Sequence, residues 1–92
     1  MVIGFFATLR PIVGGKTVDV DLPDGTTVRE LIDHLVSTIP GLRDAILDEA
    51  GELSRRVHVF VEGRSAIYLA AGLETRLSAS QRVDIFPAVA GG

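Results

Sequence analysis

The spacing of hydrophobic and polar positions along this chain changes several times, and each change marks an element. Residues 2 to 9, Val-Ile-Gly-Phe-Phe-Ala-Thr-Leu, are rich in strand formers and apolar on both sides, which predicts a central strand with a neighbour on each edge. Residues 10 to 15, Arg-Pro-Ile-Val-Gly-Gly, break that run and predict a loop whose reversal falls at Gly14 and Gly15. From Lys16 to Leu22 the chain alternates: Val18, Val20 and Leu22 on one side, Thr17, Asp19 and Asp21 on the other. This predicts a half-exposed strand, paired with the first in a hairpin.

Pro23-Asp24-Gly25 is a turn signal, and Thr27-Val-Arg-Glu30 behind it has the spacing of a capping box, so a helix starts there. Val28, Leu31, Ile32, Leu35, Val36 and Ile39 then form one apolar stripe, opposite Glu30, Asp33, His34 and Ser37, until Pro40-Gly41 ends the helix. Leu42 to Gly51 predicts a second, short helical segment that Gly51 stops. Val57-His-Val-Phe-Val-Glu62 predicts the next strand, closed by Gly63, with a short edge strand over 65 to 69. Residues 70 to 81 are expected to be loop with one turn of helix, and Arg82 to Phe86 the last strand.

This element order predicts an α+β fold: a mixed sheet of four or five strands with one main helix on one face. A single long helix covers only one side of such a sheet. If the last strand pairs with the first, side-chain alternation places Ile3, Phe5, Ala7, Val57, Val59, Val61, Val83 and Ile85 under the helix. Phe6, Phe60 and Phe86 then share the uncovered face, which predicts a docking surface for a partner.

Ninety-two residues make one domain. The balance of 47% hydrophobic and 23% charged residues excludes a disordered chain. The net charge is −3 and no basic run is longer than Arg55-Arg56, which argues against nucleic acid as the partner. The absence of cysteine removes disulfides, thiolate metal sites and cysteine nucleophiles, and suits a reducing cytoplasm. Met-Val-Ile-Gly-Phe-Phe-Ala has no basic leader and is cut short by Arg10-Pro11, so it predicts a buried strand and no membrane span. His34 and His58 sit on different elements, and neither Ser-His-Asp nor metal-ligand spacing occurs, so no catalytic residue and no metal are expected.

Residues 1–86 are therefore expected to form the folded domain and 87–92 a flexible tail. Pro87 cannot extend a central ladder. Ala88, Val89, Ala90, Gly91 and Gly92 are small and uncharged, where a plain solubilising end would be polar. At about 3.3 Å per residue the segment from Pro87 reaches roughly 20 Å. The inference is that the tail enters a narrow channel in another protein and presents the carboxylate of Gly92 there.

The element order resembles the ubiquitin-like β-grasp fold, and Phe86-Pro-Ala-Val-Ala-Gly-Gly92 resembles the tail of the ThiS/MoaD family of sulfur carriers. Phe5-Phe6-Ala7 and Arg10 resemble the opening of the small subunit of molybdopterin synthase, whereas Leu9-Arg-Pro-Ile-Val-Gly-Gly15 together with the tail looks closer to the CysO-type carriers. Ala88 stands where the molybdopterin type has a second proline, and Ser78-Ala-Ser-Gln81 where many relatives have an Asp-Gly turn. The resemblance implies that an adenylating enzyme joins Gly92 to AMP using ATP, with no cofactor bound by the chain itself. Sulfide or a persulfide then leaves a thiocarboxylate, which a biosynthetic enzyme accepts for cysteine or another sulfur-containing metabolite. It also leaves two alternatives: the small subunit of molybdopterin synthase, and a ubiquitin-like modifier conjugated through Gly92.

Overall fold

The computed structural model describes residues 1–87. In chain order it contains β1 (Val2–Phe5), α1 (Leu9–Val13), β2 (Thr17–Asp19), α2 (Val28–Thr38), α3 (Leu42–Ile46), β3 (His58–Val61), β4 (Arg64–Ser65) and β5 (Val83–Phe86). Two single turns of 3-10 helix, Ala66–Tyr68 and Gly72–Glu74, lie between β4 and β5. The five strands form one mixed sheet in the order β2-β1-β5-β3-β4. The first and last strands are parallel, with Ile3 opposite Val83 and Phe5 opposite Ile85. β1 with β2, β3 with β5 and β3 with β4 are antiparallel. This is the ubiquitin-like β-grasp.

Alternation along the strands sorts the side chains as the sequence pattern predicts, with one exception. Ile3, Phe5, Val57, Val59, Val61, Val83 and Ile85 are buried beneath α2, whose Val28, Leu31, Ile32 and Leu35 complete the core. Ala7 does not join them: the strand stops at Phe5, and Ala7 takes a left-handed backbone (φ 51°) and is exposed. Burial of this apolar face, at about 25 cal/mol per Å² of apolar surface, is what holds the domain together.

The capping box closes in both directions. Glu30 N–H donates to Thr27 Oγ1 at 3.1 Å, and Thr27 N–H to Glu30 Oε1 at 2.9 Å. That last bond, from the Thr27 backbone, holds the Glu30 carboxyl below its usual range. Arg29, on the exposed side of the same turn, donates to Glu74 at 2.6 Å and to Glu52 at 2.8 Å. These two carboxylates raise its affinity for the proton, Glu74 first. Backbone bonds from Val28 N to Thr75 O (3.0 Å) and Leu77 N to Thr26 O (2.8 Å) tie the long connection before β5 to the same helix start.

Several elements differ in type or length from those the sequence pattern suggests. Residues 9–13 form α1 where a loop is expected, the 42–51 segment is helical only to Ile46, and residues 66–68 turn into 3-10 helix where an edge strand is expected. Gly51 is left-handed (φ 81°) but serves the turn after Asp48, not a helix end. The Asp48 carboxylate takes the amides of Ala50 and Glu52 at 2.9 and 3.0 Å. The β3–β4 hairpin turns through Glu62 and Gly63, both with positive φ (51° and 80°), the backbone that matches strand twist in a two-residue turn.

Candidate docking site

On the side of the sheet away from α2 lie Asp84 and Phe86 from β5, with Arg82 just before that strand, and His58 and Phe60 from β3. Phe86 sits at the centre of a cluster. Its ring lies parallel to that of Phe6, with centroids 4.0 Å apart and planes inclined by 10°. Phe60 meets it edge-on at 5.3 Å and 85°. Such pairs contribute about 0.5–1.5 kcal/mol beyond the area they bury. All three rings remain partly open to solvent. The structure thus brings together the three phenylalanines that the alternation singles out, and places His58 beside them, its ring 6.4 Å from that of Phe60.

Phe6 reaches this face from just beyond β1, and the left-handed turn at Ala7 carries the chain over it into α1. Leu9 N–H donates to Phe6 O, and Arg10 N–H to Ala7 O, both at 3.1 Å. The helix then aims Arg10 back: its Nε donates to Phe5 O at 2.8 Å, and its guanidinium lies 5.0 Å over the Phe6 ring. A cation over an aromatic face is attracted by the ring quadrupole. This role of Arg10 is not evident from strand periodicity. The sequence does carry a signal for α1: Pro11 stands in the first helical turn, where its missing N–H costs nothing, and Gly14, at φ 81°, caps the end.

Next to the rings the face is polar. Arg82 Nε donates to Asp84 Oδ1 at 2.8 Å, and the pair lies across Gly4 of the neighbouring strand. A Cβ at position 4 would run into both side chains and press on Phe6, so glycine leaves room for them. The site is therefore an apolar aromatic centre bordered by two arginines and one carboxylate. Among the described residues it holds no nucleophile paired with a base and no group of three or more His, Asp or Glu arranged for a metal. Aromatic side chains and arginine are the types enriched where interfaces concentrate their energy.

Pro87, half-buried, follows Phe86 directly at the end of a central strand. Ala88, Val89, Ala90, Gly91 and Gly92 lie outside the described residues. His34 sits on the outward side of α2, half-exposed, where its carbonyl accepts the hydroxyls of Ser37 and Thr38 at 2.8 and 3.0 Å. Ser78-Ala-Ser-Gln81 also forms a turn, with Gln81 N–H donating to Ser78 O at 3.0 Å and Ser78 N–H to Gln81 Oε1 at 2.9 Å. No helix among the described residues is long and apolar enough to cross a membrane.

The model of the ThiS family matches residues 3–92 of this chain. Small archaeal modifier protein 3 of Haloferax volcanii is 35% identical over 88 residues, which cover 96% of this chain and 94% of that protein. The sulfur carrier protein CysO of Mycobacterium tuberculosis is 33% identical over 87 residues, covering 91% and 89%. A chain of the crystal structure of the BexX/CysO complex from Amycolatopsis orientalis is similar with a TM-score of 0.77 at 32% identity, over 99% of this chain and 98% of that one.

Proposed function

The chain belongs to the ThiS family, and from that membership we propose that it is a sulfur carrier protein whose reacting group is the carboxylate of Gly92. Its relatives include a small archaeal modifier protein and a sulfur carrier protein. In the proposed cycle a partner enzyme first makes the carboxylate electrophilic. The Gly92 carboxylate attacks the α-phosphate of ATP, pyrophosphate leaves, and an acyl-adenylate remains. A hydrosulfide or persulfide sulfur then attacks the carbonyl and AMP leaves; with a persulfide, a further reduction of the sulfur–sulfur bond by a thiol completes the step. The product is a thiocarboxylate, anionic at neutral pH and nucleophilic as a thiolate is. A biosynthetic enzyme accepts that sulfur. Gly91 and Gly92 carry no side chain to obstruct approach to the carbonyl.

The observation that carries this most directly is the position of Phe86 and Pro87. Pro87, the last described residue, directly follows the central ring of the aromatic cluster at the end of a central strand. A partner that grips Phe6, Phe60 and Phe86 is thereby placed where the tail begins. Production of the protein with its adenylating enzyme, ATP and a sulfur source should raise the intact mass by the difference between sulfur and oxygen. Deletion of Gly91 and Gly92 should abolish that change and leave the melting temperature unaltered. An unchanged mass under conditions where the enzyme consumes ATP would overturn the carrier role.

A second function is favoured by the resemblance to small archaeal modifier proteins, namely conjugation of Gly92 to lysines of other proteins. The same acyl-adenylate serves both outcomes, and the fate of the acyl group separates them. Isopeptide-linked adducts would favour the modifier, sulfur recovered in a small metabolite the carrier. Lys16 is the only lysine of this chain, so chains of linked copies have a single acceptor.

A further inference from the structure

A second feature among the described residues lies on the other edge of β3. β4 pairs with β3 only at Phe60 and Val61, and then the chain turns away into the 3-10 helix at Ala66. The space this leaves is a groove of about 370 Å³, floored by Val57, Val59 and Ala66 and walled by Leu53 and Leu73, with Arg55 at its rim. Its lip carries the largest exposed apolar side chains of the described residues. Ile67, which lines the groove, is 62% exposed, and Tyr68 beside it is 85% exposed. Neither belongs to the aromatic docking site, and neither is needed to close the core. Apolar side chains this exposed, grouped at an apolar cleft, mark an interaction site.

Charge identifies the occupant. The chain is negative overall, yet the loop that frames the groove ends in Arg55-Arg56, both exposed and without an ion pair among the described residues. A second copy of this chain, docked about a two-fold axis, would bring two such basic rims to one interface. A small enclosed ligand would leave Ile67 and Tyr68 in water. We propose that the groove receives a segment of a partner protein that inserts one bulky apolar side chain over Val57 and Leu73, covers Ile67 and Tyr68, and pairs a flanking carboxylate with Arg55. Guanidinium suits that contact because it takes a carboxylate through two parallel hydrogen bonds. The site is independent of the chemistry at Gly92. It adjoins the aromatic cluster through His58, which lines the groove and lies next to Phe60.

The test is a titration of nitrogen-labelled protein with the blocked synthetic peptide Asp-Glu-Leu-Phe-Glu-Asp, read in amide correlation spectra. The largest shifts are expected at Leu53, Arg55, His58 and Ile67. Ile67→Asp and Arg55→Glu, both at exposed positions that leave the core intact, should each weaken binding at least tenfold, as should replacing the peptide's acids by lysine. Three results would overturn the proposal: no shifts at millimolar peptide, shifts centred on Phe6 and Phe86, or groove shifts that grow with protein concentration in the absence of peptide. The last would make a second copy the occupant.

Discussion

The two faces of the sheet are made from alternate residues of the same strands, and they differ in almost every respect. Toward α2, Ile3, Val59, Val83 and Ile85 are aliphatic and closed to water. Away from it, Phe6, Phe60 and Phe86 are aromatic, pack chiefly on one another and stay half-open, with Arg10 and Arg82 at their border. One face is held by volume and shape, where a lost methylene is felt. The other is held by three rings packed on one another, with Arg10 over Phe6, that stay partly open to solvent. A single strand such as β5, reading Val-Asp-Ile-Phe, thus divides its residues between the closed core and the open aromatic face at every step.

This division can be broken by substitution. Ile85→Ala, at a fully buried position, should cost about 2–5 kcal/mol in denaturant unfolding, a large share of the roughly 5–15 kcal/mol a domain of this kind has. A loss below about 1 kcal/mol would mean that the inner face is not the main source of stability. On the outer face, Phe86→Asp should weaken binding to the adenylating enzyme by more than about 2 kcal/mol, because Phe86 contacts both other rings. Calorimetric titration showing equal affinity would remove the cluster from the interface. Thr27→Ala should cost about 1 kcal/mol by loosening the start of α2, and partner affinity should not move, since the helix lies behind the sheet. The smallest effect is expected from Glu30→Gln. Because the folded carboxyl ionises more readily than in the unfolded chain, its contribution is present at neutral pH and lost as pH falls through the lowered value. The variant should be slightly less stable near neutrality and show a flatter acid limb in melts recorded against pH; parallel curves would dissociate the capping bond from stability.

How much of this was legible in the residues follows from how local each signal is. Val57, Val59 and Val61 against His58 and Phe60 state the period of a strand, and Thr27 with Glu30 states a helix start, so both faces and the main helix can be read directly. The cluster of Phe6, Phe60 and Phe86 needed one further premise, that the last strand lies beside the first, and the register confirms it. α1 spans five residues, too few for a helical period to declare itself, and its clues are Pro11 and Gly14 instead. The left-handed Ala7 has no sequence signature, since nothing in its side chain favours φ of 51°. The ties from Arg29 to Glu52 and Glu74 depend on where distant loops come to rest, and no spacing in the sequence reports that.

The parallel pairing of β1 with β5 has a temporal consequence during synthesis. Ile3 waits for Val83, so the middle of the sheet stays incomplete on the ribosome until nearly the whole chain has emerged, and contacts this distant in sequence form slowly. The aromatic face inherits the same delay, because Phe86 joins Phe6 only when that final ladder zips. Until that strand arrives the aromatic face lacks its central ring, so its assembly and the closing of the sheet are one event.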